Sequence, residues 1–181
     1  QQNYLPGVPE CSDLCITPVS APENHYVRIK ADNRLEADGT LRGTFTLTAE
    51  GQSDSNIRRI FTTGFQSEWK STMERQLLAI SPKARLLSVD YGKNPKDYQA
   101  APIKITFRYE IPDYALKGEG EMFFRPMVMN NLYNQVRSYM WIDTSVENRK
   151  YGFKDACSRL VELDETVQLP AGYKLVSAVK D

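Results

Sequence analysis

The sequence has few of the residues that metal and thiol chemistry require. Its 181 residues include one histidine, His25, and three cysteines, Cys11, Cys15 and Cys157. A zinc site would need all four of these residues, and they lack the paired spacings that zinc sites usually show. We therefore predict neither a metal site nor a cofactor.

The sequence also lacks net charge and long apolar runs. Lysine and arginine together number 23, and aspartate and glutamate also number 23, so the formal net charge is zero. A neutral chain has no long-range field to attract nucleic acid or an anionic membrane surface. The mean hydropathy is −0.50, and no apolar run approaches the length of a transmembrane helix, about 20 residues. We predict no nucleic-acid partner and no membrane span, and the 41% of hydrophobic residues is enough for one packed domain.

The first 23 residues differ from the rest of the chain, because they show no sustained hydrophobic periodicity. Four of the ten prolines lie there: Pro6, Pro9, Pro18 and Pro22. Such a composition is typical of an extended segment. We predict a proline-rich linker or arm over residues 1–23 and a β domain over residues 24–181. Cys11 and Cys15 lie in the arm, where the sequence permits either a small disulfide loop or two free thiols.

Strands are predicted where apolar residues alternate with polar ones. The first such segment contains Val27, Ile29 and Ala31, and a second begins after Asp38-Gly39. Together they predict a β-hairpin across this Asp-Gly pair. Pro170-Ala171-Gly172 predicts a turn between the last two strands. Further strands are predicted near residues 87–91, 103–111, 121–124, 139–142, 161–169 and 173–179.

One stretch of the chain has the period of a helix instead. Its apolar residues recur at spacings of four, four and three: Trp69, Met73, Leu77 and Ile80. This spacing predicts one amphipathic helix over residues 67–80, capped by Ser67 and ended by Pro82. Residues 56–65 are predicted to belong to the same helical excursion, broken at Gly64.

These elements predict a mainly β fold. We expect an antiparallel β-sandwich or open barrel-like domain of about eight strands with one amphipathic helix. The apolar side of the helix should pack onto a sheet face that includes Phe107 or Phe45.

The sharpest enzymatic hypothesis is a thiol nucleophile at Cys157. The segment Asp155-Ala156-Cys157 could begin a helix, whose N-terminus would favour the thiolate. The alternation that follows favours a strand with a buried, inert thiol. A thiol hydrolase also needs an imidazole base, and His25 lies far away in the sequence. We therefore predict no catalytic residue and no enzyme activity, and we interpret His25 as a polar residue where the arm enters the sheet.

Two further motifs have structural interpretations. Arg58-Arg59 could bind an anion, but such a pair is more typical of a solvated face or an ion pair. Gly118-Glu119-Gly120 lacks the third glycine of a phosphate-binding loop and predicts a turn.

Neither the carboxylates nor the aromatic residues indicate a particular ligand. Asp164 and Glu165 are consecutive in a predicted strand, so they point to opposite faces and cannot act together as acid and base. We expect most aromatic residues to be core or cross-strand packing rather than a binding surface. Those in the second half include Tyr91, Tyr98, Tyr109, Tyr114, Phe123, Phe124, Tyr133, Tyr139, Trp141, Tyr151 and Phe153.

The order of several short motifs resembles a known family. The first part is the stretch that begins at Tyr26 and contains Gly39, Gly51, Arg58-Arg59 and the predicted helix over residues 67–80. Three motifs follow it. These are Ile111-Pro112-Asp113-Tyr114, Arg149-Lys150-Tyr151-Gly152-Phe153 and Leu169-Pro170-Ala171-Gly172-Tyr173. Residues 24–181 thereby resemble the C-terminal domain of large exported Bacteroidetes proteins. In that family an N-terminal β domain and a transglutaminase-like core precede this module of unknown function.

The resemblance implies a noncatalytic accessory or interaction domain, periplasmic or otherwise exported. Its partner would be the transglutaminase-like cysteine hydrolase core of the same polypeptide, which would act on peptide or cell-wall amide bonds. The catalytic residues of such proteins belong to that core, so none carries over to this chain. The alternative is a glycan- or peptide-binding β-sandwich module. An accessory domain predicts an apolar docking patch, whereas a binding module predicts a cleft lined by aromatic side chains and a few convergent polar groups.

Overall fold

A computed structural model of the protein describes residues 3–4, 7, 13–99, 102–129, 148, 150 and 158–178. The strands of these residues are β1 (Asn3–Tyr4), β2 (Cys15–Ile16), β3 (Tyr26–Leu35), β4 (Leu41–Ala49), β5 (Arg85–Asp90), β6 (Ile103–Ile111), β7 (Leu116–Lys117), β8 (Met122–Phe123) and β9 (Leu160–Gln168). The helices are α1 (Gly51–Thr63) and α2 (Trp69–Leu78), with 3-10 turns at Pro22–His25, Gln66–Glu68 and Met127–Met129. The described residues form a β-rich domain with little helix, as the alternation predicts.

One five-stranded sheet organises the domain, in the order β5-β6-β4-β3-β9. β3 and β4 form the predicted hairpin, with Leu35 opposite Leu41 across the Asp38-Gly39 turn. β4, β6 and β5 continue the sheet in antiparallel fashion, but β9 is parallel to β3. The sheet is therefore mixed, with three antiparallel strand pairs and one parallel pair at the β9 edge.

The two faces of the sheet differ in chemistry. On the first, which we call the core face, alternate residues of β3, β4 and β6 form one buried apolar cluster with both helices. The other, which we call the open face, carries the charged and hydroxyl-bearing residues of the same strands. This division follows from the alternation of side chains along a strand. The two helices pack on the core face and supply the second layer of this β-rich domain.

The helical excursion contains two helices rather than the single one predicted. α1 begins at Gly51, before the predicted residues 56–65. The sequence does not predict this earlier start, because the first turns consist of polar residues without a hydrophobic period. α1 ends before Gly64, where the break is predicted. Ser67 lies in a 3-10 turn and does not cap α2. α2 ends at Leu78, before Pro82 is reached.

The apolar side of α2 packs against the core face as predicted. Trp69, Met73 and Leu77 are buried in the same cluster as Phe45 and Phe107, whose rings stack at 4.3 Å between centroids. A second aromatic group joins the helices to the end of β5. In this group the ring of Trp69 meets the rings of Phe61 and Tyr91 at centroid distances of 5.1 and 5.5 Å.

Two predicted strands remain, at residues 173–179 and 139–142. Residues 173–178 form no strand, although the predicted turn before them closes with a hydrogen bond of 3.1 Å from Tyr173 N to Pro170 O. Their alternation is not sufficient, because Tyr173 and Leu175 remain exposed instead of packing on the sheet. The predicted strand at 139–142 lies outside the described residues. In the arm, β1 and β2 form a short antiparallel ribbon.

Neither described helix has the length and apolar character needed to cross a membrane.

Candidate functional site on the open face of the sheet

The open face presents polar side chains in aligned rows across the five strands. Within a row, each residue lies opposite its neighbour on the next strand. From β9 to β5, one row reads Thr166, Asp32, Thr44, Arg108 and Ser88. The next row towards the β3–β4 turn reads Gln168, Arg34, Arg42, Glu110 and Arg85.

A shallow cavity of about 460 Å³ lies over these two rows. This size is within the range of small-molecule sites. Most of its lining residues belong to the open face, and three of them are arginines. The lining residues are Asp32, Asn33, Arg34, Arg42, Gly43, Thr44, Leu87, Arg108, Tyr109, Thr166 and Gln168.

A bulge in β5 places Leu87 beside this cavity. The register of β5 against β6 shifts between Leu86 and Ser88, so that Leu87 has no partner opposite it. The alternation of Leu87, Val89 and Tyr91 predicts that Leu87 faces inward, and this is wrong. Leu86 packs against the core instead, and Leu87 is 50% exposed. Bulges of this kind redirect side chains and are frequent next to functional sites.

Arg34 and Arg42 lie directly opposite each other across the β3–β4 pair. Arg34 Nε lies 3.5 Å from a carboxylate oxygen of Glu36, and Arg42 Nε lies 3.5 Å from one of Glu110. Both arginine side chains are more than half exposed, and exposed ion pairs of this length stabilise a fold very little. The two guanidinium groups are therefore only weakly neutralised.

Arg108 and Asp32 are the other two charged residues of the cavity lining. Thr44 lies between them in the register. Within the described residues neither side chain forms an ion pair of 4 Å or less. Both side chains are thus available to a polar ligand.

A buried polar network lies beneath the cavity on the core face. The hydroxyl of Tyr109 donates to Oδ1 of Asn33, although these residues lie on strands separated by β4. Gly43 lies opposite both residues and has no side chain, which allows the Tyr109 ring to cross β4. A Cβ at Gly43 would overlap Asn33 Oδ1 and would lie 2.5 Å from the carbonyl oxygen of Asp32. Burial raises the pKa of the Tyr109 hydroxyl far above its usual range, so this group remains a neutral donor.

Glu165 extends the network to the edge strand β9. One of its carboxylate oxygens accepts 2.7 Å from Asn33 Nδ2, and the other accepts 2.9 Å from the backbone N–H of Val128. This second bond attaches the 3-10 turn Met127–Met129 to the sheet. Burial raises the pKa of Glu165 above its ordinary value, in opposition to its hydrogen bonds. Glu165 faces the core and Asp164 the solvent, which confirms that these carboxylates lie on opposite faces.

His25 has a structural role at the start of α1. Its Nδ1 accepts a hydrogen bond of 3.0 Å from the backbone N–H of Gln52, and its carbonyl oxygen accepts one of 3.0 Å from Ser53 Oγ. The ring thus replaces a side-chain cap that the N-cap residue Glu50 does not provide. Gly51 makes this approach possible, because a Cβ there would overlap the His25 ring and the Asn24 carbonyl oxygen.

Of the three cysteines, the structure describes Cys15. Cys15 is a free, partly buried thiol in β2. Cys11 and Cys157 lie outside the described residues, so the interpretation of Cys157 as a buried, inert thiol stays a prediction. Among the described residues, no three His, Cys, Asp or Glu side chains are grouped closely enough to hold a metal ion.

Arg58 stabilises the fold, in agreement with the ion-pair interpretation. Its side chain is buried, and Nε donates 2.7 Å to Asp54 Oδ2. Nη1 donates to the carbonyl oxygens of Pro95 and Asp97 in the β5–β6 loop. Arg59 is exposed on the same helix. The pair therefore contributes one structural and one solvated cation, and no joint anion site.

The predicted turn and the aromatic residues also have clear positions. Gly118-Glu119-Gly120 connects β7 to β8, closed by a hydrogen bond of 2.9 Å from Gly118 N to Glu121 O. Six of the second-half aromatic residues named in the sequence analysis are described, and of these six only Tyr98 and Phe123 are exposed. Neither lines the cavity. The other five lie outside the described residues: Tyr133, Tyr139, Trp141, Tyr151 and Phe153.

The contact between Asn33 and Glu165 and the arginine cavity are absent from the sequence predictions. Asn33 and Glu165 are polar residues at inward positions of alternating strands, and that mismatch is a signal that the sequence contains. The cavity depends on register between distant strands, which the sequence does not reveal.

No protein-family model matches the chain, and no curated protein or solved structure matches it either.

Proposed function

We propose that this chain is a noncatalytic interaction domain that accompanies a transglutaminase-like cysteine hydrolase core in an exported polypeptide. The identity of that partner depends on the resemblance of residues 24–181 to the C-terminal module of such proteins. The domain would dock on the core and position it, while the core would supply the catalytic residues.

The distribution of exposed apolar side chains is the observation that supports docking best. Seven of the 14 large apolar side chains exposed in the described part lie outside the compact domain, on the segments before and after it. These seven are Tyr4, Leu14, Ile16, Val19, Tyr173, Leu175 and Val176. Leu175 and Val176 are 67% and 83% exposed. Exposed apolar side chains on both flanking segments would provide contacts for another protein or domain.

The role of His25 supports the noncatalytic part of the proposal. Its Nδ1 is occupied by the backbone of α1, and its ring lies against Gly51. Use of this imidazole as a general base through Nδ1 would remove a hydrogen bond from the first turn of the helix. His25 is the only histidine in the chain, and it is used for structure.

The cavity on the open face favours ligand binding as a second candidate function. Its arginine, aspartate, threonine and glutamine side chains are the convergent polar groups that such a site needs. Among the described residues that line the cavity, the single aromatic one, Tyr109, is fully buried and offers no ring for stacking on a sugar. Within this second candidate, peptide is therefore favoured over glycan.

Binding between separately expressed domains tests the docking proposal. The chain is titrated against the transglutaminase-like core encoded upstream in the same gene, by isothermal titration calorimetry. We expect a complex that Leu175→Ser combined with Val176→Ser weakens by about tenfold or more, because two apolar anchors are removed. Leu78→Ser, on the exposed side of α2, is the matched control and should leave affinity unchanged.

Three results would contradict the docking proposal. They are the absence of such a core in the gene, a failure of the two domains to bind, and an equal effect of the tail and control variants. Amide hydrolysis by the isolated chain would contradict its noncatalytic part.

A further inference from the structure

The cavity on the open face has a net positive charge, whereas the formal net charge of the whole chain is zero. Its lining contains three arginines and one acid, Asp32, which leaves a formal charge of +2. The carboxylates of Glu36 and Glu110 contact two of these arginines, and Arg85 also contacts Glu110. With these three residues counted, the charge is still +1. The local field therefore favours an anionic group.

The placement of Arg34 and Arg42 opposes stability. Like charges directly opposite each other on neighbouring strands destabilise a sheet, and in the described part of the chain each guanidinium has only one long contact to a carboxylate. An acidic residue at either position would relieve the repulsion. Such a conflict between a local choice and the fold is typical of a functional site. An anion bound between the two guanidinium groups would remove it.

Arg108 completes a cationic group on three adjacent strands. It has no ion-pair partner among the described residues, and Thr44 lies beside it in the register. Guanidinium groups bind carboxylates through two parallel hydrogen bonds. A carboxylate in the cavity could therefore be held by Arg108 and by the Arg34–Arg42 pair.

The remaining lining residues narrow the ligand class. Asp32 would repel a doubly charged phosphate, but its carboxylate can accept an N–H from the backbone of a peptide. Leu87, which the bulge places beside the cavity, offers a contact for an aliphatic side chain. We infer that this cavity binds the carboxylate of an acidic peptide, with Arg34, Arg42 and Arg108 as its anion-binding residues. These residues are separate from the flanking segments proposed to dock on the core.

Two peptides that differ in one carboxylate test the ligand class. The probes are acetyl-Gly-Leu-Glu-Leu-Gly-amide and the same peptide with Gln in place of Glu, each titrated into the 181-residue chain and followed by NMR. We expect the Glu peptide to bind and the Gln peptide to bind about tenfold more weakly, since a neutral amide forms weaker hydrogen bonds with guanidinium groups than a carboxylate does. Amide resonances of β3, β4 and β6 around the cavity should shift.

Two variants assign the site, and a third is the control. Arg108→Gln should weaken binding of the Glu peptide by about tenfold. Arg34→Gln should weaken it similarly and raise the Tm by about 1–2 °C, because it relieves the cross-strand repulsion. Lys104→Gln removes one positive charge from the same face of β6, outside the cavity, and should change neither property.

Opposite signs for affinity and stability in Arg34→Gln would support the inference even if Arg108→Gln failed to fold. Equal binding of the two peptides, or no binding at millimolar concentration, would overturn it. Equal losses in Lys104→Gln and Arg108→Gln would show nonspecific attraction and would also overturn it. Tighter binding of glucuronate or inorganic phosphate than of the Glu peptide would overturn the peptide assignment. None of these results depends on whether a transglutaminase-like core binds the chain.

Discussion

The side-chain amide of Asn33 donates a hydrogen bond of 2.7 Å to the carboxylate of Glu165, which lies 132 residues further along the chain. Through this contact the edge strand β9 is joined to the centre of the sheet and to the 3-10 turn Met127–Met129. Tyr109 donates to the same Asn33 side chain from the other side. A polar network of this kind stabilises one register of the strands, because any slip would leave buried groups unpaired.

Loss of Asn33 should therefore be costly. In Asn33→Ala the Tyr109 hydroxyl and one oxygen of Glu165 both lose their partner in a buried environment, and we expect the free energy of unfolding to fall by about 2–4 kcal/mol. Tyr109→Phe removes a single donor and should cost only about 1 kcal/mol. Urea unfolding of the two variants measures both values. Similar small losses would show that the network contributes little.

The raised pKa of Glu165 predicts a pH dependence with a definite sign. A carboxyl group that binds its proton more tightly when folded stabilises the fold at low pH, and this contribution is lost as the pH rises through the raised pKa. The ordinary pKa is 4.5, and burial raises the value in the folded protein. Glu165→Gln keeps a neutral acceptor at this position, so we expect it to gain stability relative to the parent as the pH rises above 4.5. Thermal unfolding of both proteins between pH 4 and pH 8 gives the difference, and a constant or opposite difference would contradict the assignment.

Gly43 should tolerate no side chain. A Cβ there would overlap Asn33 Oδ1 and the Asp32 backbone, so Gly43→Ala should destabilise the protein by about 1–3 kcal/mol through overpacking. Gly118→Ala is the matched control, because the nearest atom to a Cβ there lies 4.0 Å away. Equal Tm values for the two variants would show that Tyr109 does not need the space above Gly43.

Two consecutive leucines of α2 should differ strongly in their contribution to stability. Leu77 is 1% exposed and packs in the core, whereas Leu78 is 45% exposed. Leu77→Ala should cost about 2–4 kcal/mol, as large-to-small core substitutions do, and Leu78→Ala should cost less than about 1 kcal/mol. Chemical denaturation of both variants tests the packing of the helix on the core face. A small cost at Leu77 would show that this side of the helix is not buried.

The sequence predicts most of the central sheet, because β3, β4, β6 and β9 alternate clearly and the Asp38-Gly39 pair joins two of them. Its predictions are wrong where local signals mislead. The bulge after Leu86 reverses the facing of Leu87, and the polar start of α1 has no apolar period. Alternation in residues 173–178 does not produce a strand, and Tyr173 and Leu175 remain exposed.

The candidate site is harder to predict than the fold. The β3–β4 turn sets the register that places Arg34 opposite Arg42, so this pair could be derived from the sequence. The position of Arg108 beside them requires the pairing of β4 with β6, which are separated by both helices. The contact of Asn33 with Glu165 requires a parallel pairing across 132 residues. Neither long-range pairing has a local signal.

Hydrogen–deuterium exchange of the chain, alone and covalently joined to the proposed transglutaminase-like core, tests the central claim most directly. The account predicts that amide protection rises on joining in residues 13–20 and 173–178, where exposed apolar side chains are concentrated, while the centre of the sheet is unchanged. It also predicts that the isolated chain hydrolyses no amide substrate during the same experiment. Unchanged exchange in both flanking segments, or hydrolysis by the isolated chain, would contradict a noncatalytic docking domain.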